Sequence, residues 1–367
     1  MKKKVLIIFG GKSGEHAVSV MSARSIERYI DREKYEPLFL GISEEGKWNL
    51  GDSVSQITDG GRVRVSNRQI HLPSPNKDFA MEVVEENKQV NQVGIDVVFP
   101  VIHGTNGEDG RLQGFLDMAN LPYVGSGVLG SALSMDKVVQ KSICMHANIP
   151  VTPFDWFTRI EWDTKKSQIK DRVVTRLTYP LFVKPANLGS SVGISKVKSD
   201  TDFDQAINQA FRYDNKIIIE EAVNQIKEIE IGVLGNDSPK VSACAQIIPK
   251  SEFYDYQTKY ITDDIELKIP AEIPTDISEQ ISRLAIKTFS ILNCRGLARA
   301  DFFYQPDLDK VYLNEINTMP GFTKISMYPK MWEVSGLKYP DLISQLIELG
   351  IQDWQQKQKL EYSYNES

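Results

Sequence analysis

Apolar residues run unbroken from Val5 to Phe9, the pattern of a strand buried on both faces of a parallel sheet. Residues 15–31 place Val18, Met21, Ile26 and Tyr29 near helical spacing, and 35–42 reads as a second strand. Strand, helix and strand in that order predict a βαβ opening. Residues 43–94 are polar, rich in Gly, Asn and Ser, and predict a surface excursion with short strands. Residues 95–102 return to a buried strand. A helical pattern then dominates from 109 to about 147, broken by Pro122 and the turn Gly125-Ser126-Gly127. Strands are predicted at 150–157, 179–184, 217–221, 228–234 and 241–248, with a helix at 202–213. Residues 249–266 are polar with several aromatics and read as a long loop; such loops inside compact domains are usually functional or disordered. A helix at 276–292, a strand pair at 296–305 and 310–317, and a helix at 341–349 follow. A frayed tail is expected from Asp353.

Composition narrows the classes. At roughly 150 residues per domain, 367 residues suggest two or three domains. A hydrophobic share of 41% can fill real cores, which excludes a disordered tail. With 43 Lys+Arg against 49 Asp+Glu the net charge is -6, which argues against a general nucleic-acid binder but permits a local basic cleft. No apolar run approaches about 18 residues, so no membrane-spanning helix is expected. The run at the start stops at Gly10-Gly11, shorter than the roughly 7–15 residues of a signal-peptide core. The cysteines Cys144, Cys244 and Cys294 are odd in number and lack a CxxC pair. They predict buried free thiols and a reducing, cytoplasmic setting.

Three segments carry chemistry. The stretch Gly10-Gly11-Lys12-Ser13-Gly14-Glu15 follows a strand and opens a helix, where free N–H groups and the helix dipole favour an anion. Its glycine spacing fits neither a Walker A loop nor a dinucleotide fingerprint. Locally, Glu15 is better explained as offsetting the helix dipole than as a ligand contact. The strand pair around the turn 306–309 is the strongest physical signal. Side chains alternate along a strand, so Arg299 and Asp301 share a face, as do Glu315 and Asn317. A hairpin centred on Leu308 sets Asp301 opposite Glu315 and Arg299 opposite Asn317. Facing acids are destabilising unless compensated. Two compensations remain open: Mg²⁺ shared with nucleotide phosphates, or an ordinary face neutralised by Arg299. The Pro320-Gly321 turn after this hairpin can present backbone N–H groups to an oxyanion. Third, the strand ending at Lys184 leads into Gly189-Ser190-Ser191, a loop able to wrap a polyphosphate. Glu220 and Glu221 could meet an adenine amine or ribose hydroxyls.

The order of these motifs resembles the ATP-grasp ligases, and within them the D-alanine:D-alanine ligase family. The matching segments are FGGKSGEHAVSVMSA (9–23), HGTNGEDGRLQGFLDMANLPYVGSG (103–127), KPANLGSSVGI (184–194), YDYQTKY (254–260), GLARADFF (296–303) and NEINTMPGFTKISMYP (314–329). They span nearly the whole chain. The resemblance implies an α/β (α+β) ATP-grasp fold with an N-terminal parallel-sheet, Rossmann-like domain over 1–125. A central subdomain over 126–219, a C-terminal one over 220–355 and a tail at 356–367 would follow.

The same resemblance implies roles. Lys137 and Lys184 are similar to the family's ATP phosphate lysines, with Ser190 and Ser191 in the phosphate loop and Lys259 at its lid. Glu221 and Glu228 resemble the adenine and ribose acids. Asp301, Glu315 and Asn317 resemble the ligands of two Mg²⁺ ions, which Mn²⁺ would replace. Arg299 and the N–H of Gly321 resemble the oxyanion donors. Glu15 resembles the residue that holds the first D-alanine ammonium, in a triad with Ser190 and Tyr260 that closes the 249–266 loop. Ser326 and Lys259 resemble contacts to the second D-alanine carboxylate, with His103 in the same pocket. The expected reaction is ATP-dependent formation of D-alanyl-D-alanine through an acyl phosphate, for peptidoglycan precursors, by a cytoplasmic homodimer without nucleic-acid or membrane partners. Ligation to D-serine or D-lactate is the rival within the family; Tyr260 and Met327 match the D-alanine pattern. Outside it, a nucleotide-binding module without catalysis is opposed by Arg299, Asp301, Glu315 and Asn317, and a nicotinamide oxidoreductase by the glycine spacing.

Overall fold

The computed structural model describes residues 1–66, 69–71, 80–84, 89–249 and 265–361. The opening βαβ forms as its pattern dictates: strands Lys3–Gly10 and Tyr35–Ile42 pair in parallel, and helix His16–Tyr29 covers them. Strand Val97–Pro100 adds in parallel on the other side of the first strand. The order is third, second, first, then Val97–Pro100, where Trp48–Gly51 is the antiparallel edge. Short strands between 58 and 94 fill the polar excursion.

A second sheet holds strands Phe154–Thr158, Lys216–Glu221, Leu181–Pro185 and Ser195–Val197 in that spatial order, all antiparallel. Helices Arg159–Arg176 and Asp200–Ala210 cover one face, giving a core around Phe157, Trp162, Phe203 and Ile219. A third sheet of six strands contains Lys227–Gly235, Gly296–Gln305 and Lys310–Asn317 side by side. Helix Thr275–Ile291 packs under it, with Cys144 and Ile149 in the same core. The last helix, Tyr339–Lys357, crosses back to the first sheet: Leu342 and Leu346 share one core with Val5 and Phe9. The first and third bodies are therefore welded by common apolar burial, while the central sheet keeps a core of its own.

The structure departs from the sequence reading at several elements, including the expected strand 241–248, which forms as two, Lys240–Val241 and Ala245–Pro249. The expected strand at 150–157 begins at Phe154, because 150–153 crosses between bodies; Val151 bridges Leu313 instead. The tail does not fray at Asp353. The helix continues to Lys357, where Lys357 pairs with Asp353 at 2.9 Å and Trp354 Nε1 donates to the Asn120 carbonyl at 3.0 Å. Helix Arg159–Arg176 has no counterpart in the apolar pattern, since only Trp162, Ile169 and Val173 are buried along it. Helix Met327–Val334 likewise goes unread, although it buries Tyr328, Met331 and Trp332.

Candidate active site

The hairpin sets the chemistry in place. Arg299 pairs with Asn317 and Asp301 with Glu315, the register expected from a turn centred on Leu308. Nearer the turn the pairing shifts by one, with Phe302 on Leu313 and Phe303 on Tyr312. Asn314 is the extra residue of a bulge. The bulge reverses the strand's alternation: Val311 and Leu313 point into the core, yet so does Ile316, leaving Glu315 and Asn317 on the face of Asp301. Re-aiming of this kind is a common use of bulges beside functional sites.

Both acids have cationic partners. Arg299 grips Asp301 through two hydrogen bonds of 2.7 Å and lies 3.2 Å from Glu230. Burial alone would lower the guanidinium pKa, but Asp301 and Glu230 outweigh it and raise it. Lys137 Nζ lies 3.1 Å from Glu315 and donates to the Leu188 carbonyl at 2.9 Å. Glu315 likewise outweighs the burial of Lys137 and holds its pKa above the usual value. The donors Asp301, Glu315 and Asn317 are all oxygen, the set that suits Mg²⁺. Among the described residues no group of three or more His, Cys, Asp or Glu is placed to hold a metal alone. The donors thus fit a metal completed by phosphate oxygens rather than an all-protein cage.

A cavity of about 490 Å³ opens in front of this hairpin, lined by Glu15, Glu108, Lys137, Ser190, Arg299 and Ser326 among others. Glu15 stands just before helix His16–Tyr29 and accepts a short hydrogen bond from the Ser190 hydroxyl. Gly104 makes room for it: with φ at +72°, a Cβ there would meet Glu15 Oε2 at 2.5 Å. Glu108 approaches from the same loop. It accepts from Gly104 N at 2.7 Å and Met319 N at 3.1 Å. Burial, and then the charge of Glu15, push its carboxyl up to about 8. Neither Glu15 nor Glu108 has an ion-pair partner among the described residues.

His103 is buried beside them, and burial holds its pKa below the usual imidazole value against the pull of Glu15. Its Nδ1 faces the Met319 carbonyl at 2.9 Å, so that nitrogen carries the proton. Its Nε2 then accepts from the Ser22 hydroxyl at 2.9 Å. Gly321 and Ser326 line the cavity, where Ser326 precedes helix Met327–Val334. The Ser326 hydroxyl accepts from Thr323 N at 3.1 Å.

The phosphate-loop candidates meet the site from the central sheet. Lys184 donates to Glu220 at 2.8 Å. Ser190 and Ser191 both adopt left-handed backbone angles. Glu228 lies across from Phe303, on the strand face that also carries Glu230 and Asp301. Glu221 does not join this group. It pairs with Leu181 on the helix-covered face and accepts from Thr178 N at 3.1 Å. Glu220, on the opposite face, does. Lys259 and Tyr260 lie outside the described residues, as does most of the 249–266 loop. Glu108, Glu230 and Lys141 escaped the sequence reading. Glu108 lies within the 103–127 motif, and its position between glycines was the available signal; Glu230 and Lys141 carried none.

The parallel N-terminal sheet, the antiparallel central sheet and the acidic hairpin facing a lysine-bearing loop define an ATP-grasp architecture. Residues 4–126 match the family model described as D-ala D-ala ligase N-terminus, and 143–348 match D-ala D-ala ligase C-terminus. The chain belongs to the D-alanine–D-alanine ligase family. It is 45% identical over 369 residues to a D-alanine–D-alanine ligase of Natranaerobius thermophilus, covering 100% of both chains. Against a D-alanine–D-alanine ligase of Caldicellulosiruptor bescii it is 46% identical over 362 residues, with 99% of each covered. Among solved structures, the D-alanine-D-alanine ligase from Coxiella burnetii superposes with a TM-score of 0.81 at 36% identity, over 98% of this chain and 96% of that one. The VanG D-Ala:D-Ser ligase from Enterococcus faecalis gives 0.82 at 33% identity, over 95% and 100%.

Proposed function

We infer that the chain is an ATP-dependent ligase that joins two D-alanine molecules into D-alanyl-D-alanine for cell-wall synthesis. One observation carries the site assignment: Glu15 and Glu108 line one cavity, next to Arg299 and the Gly321 turn, and neither acid has an ion-pair partner among the described residues. An ammonium suits that pair: it pairs with the Glu15 carboxylate and offsets the charge that adds to burial in holding the Glu108 carboxyl up.

The first D-alanine sits with its ammonium at Glu15, and its carboxylate attacks the γ-phosphate of ATP to give an acyl phosphate and ADP. Lys137 and Lys184 offset charge on the transferring phosphoryl group, with Ser190 and Ser191 donating from the loop. Magnesium, held by Asp301, Glu315 and Asn317, neutralises phosphate charge when bound; we assign two ions and allow Mn²⁺ in their place. The neutral amine of the second D-alanine then attacks the acyl carbon, and inorganic phosphate leaves. Arg299 and Gly321 N–H stabilise the tetrahedral oxyanion. Ser326 holds the second carboxylate with His103 in the same pocket; to Lys259 and Tyr260, outside the described residues, we assign the roles that the family resemblance implies. Glu228 takes the ribose. For the adenine amine we assign Glu221, at the end of strand Lys216–Glu221.

The partition into 1–125, 126–219 and 220–355 is our division of these roles. We place the enzyme in the cytoplasm, supported by three free, buried cysteines. No described helix is long and apolar enough to cross a membrane. We assign a homodimer.

The test is ADP formation. Purified protein should form ADP only with D-alanine and Mg²⁺ present, and Glu315→Gln should lower turnover by orders of magnitude with the fold intact by circular dichroism. Wild-type turnover in the Gln variant would break the metal assignment.

A further inference from the structure

A third lysine beside this site has no part in the chemistry above. Lys141 is fully buried. It follows Lys137 by four residues in helix Lys137–His146, so both project from one face. Lys137 reaches Glu315 on the hairpin sheet. Lys141 reaches the central sheet instead: its Nζ lies 3.3 Å from Glu220 Oε1 and donates to Thr152 Oγ1 at 3.1 Å. The other oxygen of Glu220 accepts from Lys184 at 2.8 Å. One carboxylate thus serves two ammonium groups, and the cluster carries a net charge of +1. A buried lysine is costly unless paired, and an apolar residue of similar size would anchor the helix at lower cost. Burial pushes the Lys141 pKa down. Burial would also push Glu220 up, but Lys141 and Lys184 overcome it and hold Glu220 at about 2. The acid therefore stays ionised and bridges both lysines.

We propose that Lys141 is a positioning residue for the nucleotide: by sharing Glu220 it fixes Lys184 in place without neutralising it, so the Lys184 charge remains available to the phosphates. The proposal rests on reading Lys184 as a phosphate lysine. Without Lys141, Glu220 and Lys184 become an isolated neutral pair. Removal of the Glu220 charge as well restores the net charge of +1.

Lys141→Met and the double variant Lys141→Met/Glu220→Gln separate this role from simple support of the fold. Mg·ADP binding by calorimetry and steady-state KM values are measured on the full chain. The single variant should weaken Mg·ADP binding and raise the KM for ATP by about tenfold or more, with the KM for D-alanine within about twofold. The double variant should return both nucleotide constants to within about threefold of wild type. A single variant with unchanged nucleotide constants overturns the proposal, as does a double variant as weak as the single. Should the single variant fail to fold, the double decides: near-wild-type nucleotide constants uphold the role, and a tenfold weakening overturns it. The functional reading fails by a different signature, in which wild-type protein binds Mg·ADP yet forms no ADP from ATP with D-alanine.

Discussion

Glu108 decides the charge of the substrate pocket. Its carboxyl is raised from 4.5 to about 8 by burial and by Glu15. A raised acid binds its proton more tightly in the folded state than in the unfolded one. The stability it contributes is therefore fully present below about 4.5 and is lost as pH rises through about 8. Glu108→Gln cannot ionise, so wild type should lose stability relative to that variant between about pH 5 and pH 9 in urea unfolding. A stability gap that does not change with pH would contradict the assignment. Residues of this pocket were legible only in part. Glu15 and Ser190 are 175 positions apart, and no local period joins them; the resemblance supplied the pair. Glu220 and Glu221 are adjacent, and strand alternation sends them to opposite faces. Nothing in the run Ile217–Glu221 says which face is the cleft, because both faces of that strand are buried by isoleucines.

At the scale of elements, the strong apolar runs folded as read. Tyr35–Ile42, Gly296–Gln305 and Lys310–Asn317 have the bounds that their patterns set. The hairpin was read with one register throughout. It has two, and the bulge at Asn314 shows in the pattern only as a change of phase: Ile316 follows Leu313 by three positions, where strict alternation needs two. Helix Arg159–Arg176 shows the opposite case. Its apolar stripe is thin, but its start was written in the sequence as Thr158-Arg159-Ile160-Glu161. The Thr158 side chain accepts from Glu161 N, and the Glu161 carboxylate accepts from Thr158 N at 2.8 Å, a full capping box. With so little burial along the helix, the cap matters. Thr158→Ala should lower stability by ~1 kcal/mol as a shifted urea midpoint with an unchanged slope. A variant as stable as wild type would show that tertiary packing alone sets this helix.

At the scale of the molecule, the site is a meeting of three bodies rather than a feature of one. The first sheet supplies Glu15, the loop after it His103 and Glu108, the central sheet Lys184 and Ser190, and the third sheet Arg299, Asp301, Glu315 and Asn317. The first and third share a core through helix Tyr339–Lys357, so the D-alanine pocket and the hairpin are held as a unit. The central sheet has a separate core; it meets helix Lys137–His146 through the small apolar cluster of Val138, Ala186 and Ile218 and through polar contacts that include Ser190 to Glu15, the Leu188 carbonyl to Lys137, and Glu220 to Lys141. A net charge of -6 over the chain conceals lysines 137, 141 and 184 and Arg299 gathered at this junction. The acceptor tests the central claim most directly, because Met327 lines the cavity and offers a hydroxyl no partner. Purified protein is given ATP, Mg²⁺ and D-alanine with equal concentrations of D-serine and D-lactate, and the products are resolved by mass spectrometry. The account predicts D-alanyl-D-alanine as the dominant product; predominance of D-alanyl-D-serine or D-alanyl-D-lactate would contradict it.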